Sequence, residues 1–142
     1  MRLRVEVEGE PDLPSLPNEG ANLVAFMSFA IARGFGAQHP LVALAEHLHR
    51  GLRVPLGPLE TFYEGVVEDE EDAERLERAW QPAEPLRATL AALAAALRDD
   101  PTARRLLERA GTPALAEEAE RLAALLEGPA CRRKNVRLSY FL

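Results

Sequence analysis

The sequence predicts a predominantly α-helical α+β fold, in which about six or seven helices pack on a small sheet formed by the N- and C-terminal strands. One observation is the strict alternation of apolar and charged residues in the opening stretch MRLRVEVE, and another is the alternation in the closing stretch VRLSYFL. Most residues between them have apolar spacings typical of helices. Because a lone strand is unstable in water, the two terminal strands are expected to pair within one domain covering residues 1–142.

The opening strand has one apolar and one charged face. Its apolar face carries Met1, Leu3, Val5 and Val7, and its charged face carries Arg2, Arg4, Glu6 and Glu8. Three prolines then follow at every third position, Pro11, Pro14 and Pro17. They predict an extended connection, because proline has no N–H group to donate to a helix or a central strand.

Two helices are predicted before residue 52. The first begins near Asn18, a favourable capping residue, and ends at Arg33, with Gly34 suited to the left-handed conformation beyond its end. The second contains Pro40 in its first turn, where proline is tolerated, and ends at Gly51. Its predicted core-facing stripe is Leu41, Leu44, Ala45 and Leu48.

The stretch from residue 52 to residue 80 is less regular. Residues 52–56 alternate like a strand, and Pro55 restricts that strand to an edge of the sheet. A short helix from Pro58 is expected to carry Leu59, Phe62, Tyr63 and Val66. A charged helix from Glu68 follows, with the narrow apolar stripe Ala73, Leu76, Ala79 and Trp80.

Residues 83–128 are rich in Ala and Leu, which favour helices, and predict three helices of about 15, 9 and 14 residues. Pro101 and Pro113 mark the starts of the second and third. The apolar stripes of the first and third are Leu86, Leu90, Leu93, Leu97, Leu115, Ala119, Leu122 and Leu126. Such stripes form a core or, alternatively, a surface for an oligomer or a partner helix.

The closing strand is expected to pair with the opening one. Val136, Leu138 and Tyr140 face the helices, whereas Arg137 and Ser139 face outward. Phe141 is an exception, since its aromatic ring falls on the outward, polar face. If a second copy of the chain completes the sheet instead, the protein is an obligate dimer.

Composition and charge argue against several classes of protein. The net charge is −6, and the last twelve residues carry four positive charges and no negative one, which leaves −10 for residues 1–130. A general nucleic-acid-binding surface is therefore not expected. The longest apolar run, residues 23–32, is shorter than the roughly 20 residues that a membrane span needs. A single cysteine, Cys131, and no signal-peptide pattern predict a cytoplasmic protein.

The three histidines fall within eleven residues and give the first candidate site. Imidazole and carboxylate groups bind zinc and transfer protons near neutral pH. His47 and His49, however, point about 200° apart on a helix, and no H-E-x-x-H pattern is present. Glu46 and His49 remain weak candidate metal ligands, to be completed from elsewhere. His47, Arg50 and Arg53 are candidates for binding an anionic ligand.

The basic stretch CRRKN and the strand after it give the second candidate site. Its cations are Arg132, Arg133, Lys134 and Arg137. The four cations predict a weak contact with nucleic acid. The favoured interpretation for the turn CRRKN is instead a contact with the protein's own acidic surface, including residues 68–72. These cations could also activate Cys131, but without a general base in view a buried, inert thiol is the expectation.

Two further motifs are incomplete. The acidic run EDEED at residues 68–72 lacks the spacing of an EF-hand, and acidic residues are common at helix N-termini. Gly34 and Gly36 form only a fragment of a phosphate-binding loop, and a helix end explains them better.

No catalytic constellation is present, so neither catalytic residues nor a cofactor can be predicted. The leading hypothesis is a small non-catalytic protein that acts through protein contacts, as a homo-oligomer or a regulatory partner. The alternative is a small-ligand- or metal-binding enzyme that uses the region of Glu46, His47 and His49. A third hypothesis is weak nucleic-acid contact through the basic turn.

Overall fold

The structure, a computed structural model, describes residues 2–10, 13–32, 39–128 and 131–141. Within these ranges six α-helices and a four-stranded sheet confirm the predicted α+β class. Met1, the predicted helix end at Arg33 and the glycines Gly34 and Gly36 lie outside the described residues.

The sheet is built around its last strand. The strands are β1 (Arg4–Val7), β2 (Tyr63–Glu64), β3 (Trp80–Pro82) and β4 (Asn135–Tyr140). β4 pairs antiparallel with β1 along one edge, and along its other edge it pairs parallel with β2 and antiparallel with β3. The predicted pairing of the two terminal strands within one chain is therefore confirmed.

The register sorts the side chains onto two faces, as alternation requires. Val5 lies opposite Leu138, and Val7 opposite Val136, on the face that contacts the helices. Glu6 lies opposite Arg137 on the other face. The apolar face predicted from the sequence is thus the one that the helical layer buries.

Residues 52–56 do not form the third strand that the alternation predicted. Arg53 has a left-handed backbone, with φ of 55°, which interrupts an extended run. Val54 and Leu56 are nevertheless buried, and the Pro55 carbonyl accepts a hydrogen bond of 2.6 Å from the Thr89 hydroxyl. The segment therefore packs on the helices as irregular chain, and β2 and β3 take the positions beside β4.

Between residues 58 and 80, one further prediction is wrong and another is confirmed in part. The helix expected from Pro58 is a single 3-10 turn, Gly57–Glu60, and Tyr63 belongs to β2. The charged helix, α3, spans Glu70–Glu77 and buries none of its residues, while Trp80 begins β3. The Asp69 carboxylate caps α3 by accepting a hydrogen bond of 2.8 Å from the Asp72 amide.

The first helix begins later than expected. Its α-helical part, α1, spans Ala21–Ala25 and continues as a π-helix over Phe26–Ala32. Asn18 does not cap it, because Asn18 and Glu19 have left-handed backbones, with φ of 54° and 56°. Gly20, with φ of 72°, precedes the first helical residue instead.

The remaining helices follow the predictions closely. α2 spans Pro40–Glu46 and continues as a π-helix over His47–Gly51. α4, α5 and α6 span Ala83–Asp99, Pro101–Ala110 and Leu115–Leu126. α6 begins two residues after the predicted start at Pro113. The predicted stripes of α2, α4 and α6 are all buried, so they form the core.

A buried carboxylate joins α6 to the start of α1. Glu118 has no exposed surface, and its oxygens accept hydrogen bonds of 2.5 Å from the Asn22 amide group and 3.0 Å from the Leu23 backbone N–H. The Asn18 side chain donates a third, at 3.3 Å. A negative charge is favourable at a helix N-terminus, where the backbone N–H groups have no helical partners. Glu118 therefore caps the N-terminus of α1, although it comes from a distant part of the sequence.

In the described ranges, no helix combines the length and apolar character that crossing a membrane requires.

Candidate interaction surface

The face of the sheet turned away from the helical core carries a stack of charged and aromatic groups around Arg137. Arg137 Nη2 donates a hydrogen bond of 2.7 Å to Glu6 Oε2, and its guanidinium lies 4.4 Å from the centre of the Trp80 ring. Glu77, at the end of α3, lies 3.7 Å from the same guanidinium. Arg4 approaches the other oxygen of Glu6 at 3.4 Å. This stack joins β1, β3 and β4 on the outer face and connects them to the end of α3.

A cleft of about 670 Å³ opens beside this stack. Its apolar lining comes from the N-terminal strand and the connection after it, from β2 and the turn that follows, from α3 and α6, and from the end of β4. Those residues include Tyr63, Val66, Val67, Leu76 and Phe141. Arg2, Arg4, Glu6 and Glu19 line the cleft on the β1 side, so that side carries both signs of charge.

Three apolar side chains of the cleft are exposed to solvent. The exposed fractions are 64% for Phe141, 61% for Val66 and 43% for Val67. In the part of the chain that the structure describes, the fourth exposed large apolar side chain is Leu52, which is 37% exposed and does not line the cleft. Apolar surface concentrated on one face, with a polar rim, is typical of a contact site for another molecule.

An acidic groove adjoins the cleft and shares Tyr63, Gly65 and Val66 with it. Its carboxylates come from Glu60, Glu64, Glu68 and Asp72, and Arg75 and Arg78 lie at its α3 side. The Tyr63 hydroxyl donates a hydrogen bond of 3.4 Å to the Val66 carbonyl. Burial raises the pKa of Tyr63, and the nearby Asp72 carboxylate raises it further, so this phenol stays neutral and holds the turn before Val67.

The predicted histidine site is not assembled as one site. His47 Nε2 lies 2.8 Å from Asp100 Oδ2, and the same oxygen accepts a hydrogen bond of 2.9 Å from the Ala103 amide. These bonds lower the pKa of Asp100, the Ala103 amide most and His47 next. His47 thus links the end of α2 to the start of α5, which is a structural role.

The neighbours of His47 point to separate places on the surface. Glu46 pairs with Arg50 at 3.1 Å across one turn, and both side chains are largely exposed. His49 and Arg53 are also exposed. Across residues 2–10, 13–32, 39–128 and 131–141, no three His, Cys, Asp or Glu side chains are grouped so as to hold a metal ion.

The four cations of the second candidate site also do not form one site. Lys134 pairs with Glu10, and Arg137 belongs to the outer-face stack, while Arg132 and Arg133 are exposed. Lys134 pairs with Glu10, and Arg137 with Glu6 and Glu77, so the carboxylates that these two cations contact are not the predicted residues 68–72. Cys131 is buried, and burial raises the pKa of its thiol, with the Glu10 carboxylate adding to the effect.

Sequence patterns missed the cleft because its residues come from several stretches that are far apart in the chain, between residue 2 and residue 141. Phe141 did give a signal, as an aromatic residue at an outward position of the closing strand. Val66 was assigned to a helix that does not form, so its exposure could not be anticipated. Comparison of the chain with protein-family models, curated proteins and solved structures finds no match.

Proposed function

We propose that this protein is a non-catalytic interaction module and that the outer-face cleft is where it contacts a protein partner. The observation that supports this most is the clustering of Val66, Val67 and Phe141, exposed together around a cleft that also contains Leu76. Burying exposed apolar surface against a partner contributes roughly 25 cal/mol per Å². While these three side chains remain exposed to water, the protein does not gain this free energy.

The cleft also resembles the anatomy of known protein interfaces, which combine an apolar centre with a charged rim. Val66, Val67 and Phe141 are apolar, and the rim carries Arg2, Arg4, Glu6 and Glu19 on one side and the acidic groove on the other. The apolar stripes of α2, α4 and α6 are buried in the core, so they are not exposed for contact with a partner. A cytoplasmic location belongs to this proposal too, since the lone thiol of Cys131 needs no oxidising compartment.

Site-specific photo-crosslinking in cells of the source organism tests this proposal. A photoreactive phenylalanine analogue at position 67 or 141 is expected to trap a protein, whether another copy of this chain or a different one. The matched control places the same analogue at Leu52, which is exposed but does not line the cleft. If positions 67 and 141 trap no more protein than position 52, the proposal is wrong.

A further inference from the structure

We propose that the partner is a basic polypeptide segment of another protein, which places a large apolar side chain in the cleft and its lysines or arginines along the acidic groove. This inference rests on the proposed function, because it names the chemistry of the partner at the same surface. The position of the negative charge of the chain, beside the exposed apolar side chains, supports it.

The net negative charge of the chain comes from one short stretch. Residues 60–78 contain nine carboxylates and two arginines, which gives a charge of −7, whereas the whole chain has a charge of −6. The other 123 residues together therefore have a charge of +1. The stretch includes β2, the turn after it and α3, which buries none of its residues. Most of these carboxylates are exposed to solvent, so a partner meets their charge directly.

The same stretch supplies much of the apolar surface of the cleft. Val66 and Val67 follow β2, and Leu76 lines the cleft from α3. The acidic groove shares Tyr63, Gly65 and Val66 with the cleft, so the two surfaces are continuous. A partner that buries Val66 therefore also lies beside the carboxylates of the groove.

The groove keeps an excess of negative charge after its own ion pairs are considered. Four carboxylates and two arginines line it. Arg75 lies 2.6 Å from Glu71 and 3.9 Å from Asp72, so its charge is engaged on its own helix. Glu60 and Glu68 are exposed, and among the described residues no cation lies within ion-pair distance of either. These two carboxylates can therefore bind a cation from outside.

The β1 side of the cleft is close to neutral. Its carboxylates Glu6 and Glu19 accompany Arg2 and Arg4. Arg4 and Arg137 both contact Glu6, at 3.4 and 2.7 Å, so these charges are balanced within the protein. This side neither attracts nor repels a charged partner strongly, and the acidic groove therefore selects the charge of the partner.

The distribution of charge disfavours other occupants of the cleft. A nucleic acid or an anionic membrane surface is repelled by a stretch of charge −7. A second copy bound through the same face brings two such stretches close together, which is also unfavourable. A basic segment with an apolar anchor is attracted by the groove and also buries the exposed apolar side chains.

The cleft and the groove are expected to affect binding differently. Charges at the rim of an interface mainly accelerate association, and added salt weakens their effect. A buried apolar anchor slows dissociation and contributes most of the affinity. Removing the charges should therefore weaken binding chiefly at low salt, whereas removing the anchor should weaken it at low and high salt alike.

Fluorescence anisotropy with two labelled model peptides tests the chemistry of the partner. One is a peptide of about 18 residues in which Leu recurs at helical spacing among Lys, and the other has Glu in place of every Lys. The Lys/Leu peptide is expected to bind at least about tenfold more tightly than the Glu/Leu peptide. If it binds no more tightly than the Glu/Leu peptide, the inference is wrong.

Variants of the groove locate the binding of the Lys/Leu peptide. The double variant E60K/E68K is expected to bind it about tenfold more weakly at about 50 mM salt, and within about twofold of the natural protein at about 500 mM. The matched control E108K/E117K changes the net charge equally at exposed positions that line neither surface, and should change binding by less than about twofold. Equal weakening by the two double variants contradicts the inference.

A variant of the cleft tests the anchor. Phe141→Ser removes apolar surface without changing the charge, and is expected to weaken binding of the Lys/Leu peptide about tenfold at both salt concentrations. Circular dichroism of every variant confirms that lost binding is not a lost fold. Unchanged binding by F141S would mean that the peptide lies outside the cleft, and the inference would fail.

Crosslinking in cells separates this inference from the proposed function. The segment trapped at positions 67 and 141, identified by mass spectrometry, is expected to belong to another protein and to contain more Lys and Arg than Asp and Glu. The trapped yield should fall at least about threefold in E60K/E68K. If the segment is acidic, if it comes from another copy of this chain, or if the yield is unchanged, the basic partner is wrong and the interaction surface stands. If crosslinking traps nothing, both are wrong.

Discussion

The helical side of the sheet and its outer face differ in how completely they are covered, although the same strand supplies both. On the helical side, Val136, Leu138 and Tyr140 are at most 2% exposed, because the helical layer packs on them. On the outer face, the short helix α3 buries no residue of its own, and Phe141 is left 64% exposed. Alternation along β4 sets the direction of each side chain. What packs above it decides whether that side chain is covered.

The two sides also hold their carboxylates differently. Glu118 is fully buried on the helical side, and its hydrogen-bond donors are amide groups. Glu6, on the outer face, contacts the guanidinium groups of Arg137 and Arg4. The first arrangement depends on exact hydrogen-bond direction, and the second depends on charge and is weakened by salt.

The largest expected difference between the two sides concerns β4 itself. Leu138→Ala leaves a cavity on the helical side and is expected to lower the free energy of unfolding by about 3 kcal/mol. The neighbouring Ser139→Ala, on the outer face, is expected to change it by less than about 0.5 kcal/mol. Urea unfolding followed by circular dichroism measures both. Equal losses would mean that the two faces are covered to the same extent.

The buried carboxylate gives the next largest effect. Glu118→Gln replaces one acceptor oxygen by an NH₂ donor that must face either the Asn22 side chain or the Leu23 N–H, which are themselves donors. A loss of about 2 kcal/mol in the free energy of unfolding is expected. Glu117→Gln, at the exposed neighbouring position on α6, is the matched control. If the two substitutions cost the same, the hydrogen bonds to Glu118 do not stabilise α1.

Arg137→Lys tests the outer-face stack. Lysine keeps the charge but loses the planar group that lies over Trp80 while it binds Glu6. A loss of about 1 kcal/mol is expected, because a cation over an aromatic ring contributes about that much. Arg133→Lys on the exposed turn should cost nothing measurable. Raising the salt concentration should reduce the difference between the natural protein and R137K, and a difference that grows with salt contradicts this account.

The smallest predicted effect depends on pH and lies at the start of α5. The pKa of Asp100 is lowered in the folded protein, so its ionised form stabilises the fold above the ordinary carboxyl pKa of about 3.9. That contribution is lost as the pH falls through the lower folded value. Asp100→Asn keeps a capping side chain and removes the charge.

The melting temperature of D100N should therefore lie a few degrees below that of the natural protein at pH 5, and the two should converge as the pH approaches 2. Differential scanning calorimetry at closely spaced pH values measures this. Curves that stay parallel down to pH 2 would show that the ionised carboxylate of Asp100 contributes nothing.

Much of the fold could be predicted because its signals are local. Strict alternation identified the terminal strands, and the spacing of Leu86, Leu90 and Leu93 identified one buried face of α4. β2 and β3 have two and three residues, which is too short for any alternation to be recognised. They form strands because β4 offers a free edge, not because of their own composition.

The parts that could not be predicted depend on distant contacts. Glu118 bonds to residues 95 to 100 positions earlier in the chain, and nothing in the sequence around it marks it as buried. The sequence predicted that Asn18 caps a helix, but its side chain donates a hydrogen bond to Glu118 instead. Nearness in the sequence was also a poor guide, because His47 and His49 are two residues apart but do not belong to one site.

The central position of β4 has a consequence for how the chain folds during synthesis. β1, β2 and β3 all precede β4 in the chain, and each of them pairs with β4. Ribosomes therefore release all three of these segments before the strand that joins them exists. Helices α4, α5 and α6 can pack early, since they follow one another in the chain and contact one another. Closing the sheet is necessarily a late step, during which the edge of β1 and the apolar residues beside it are open to chaperones or to other nascent copies.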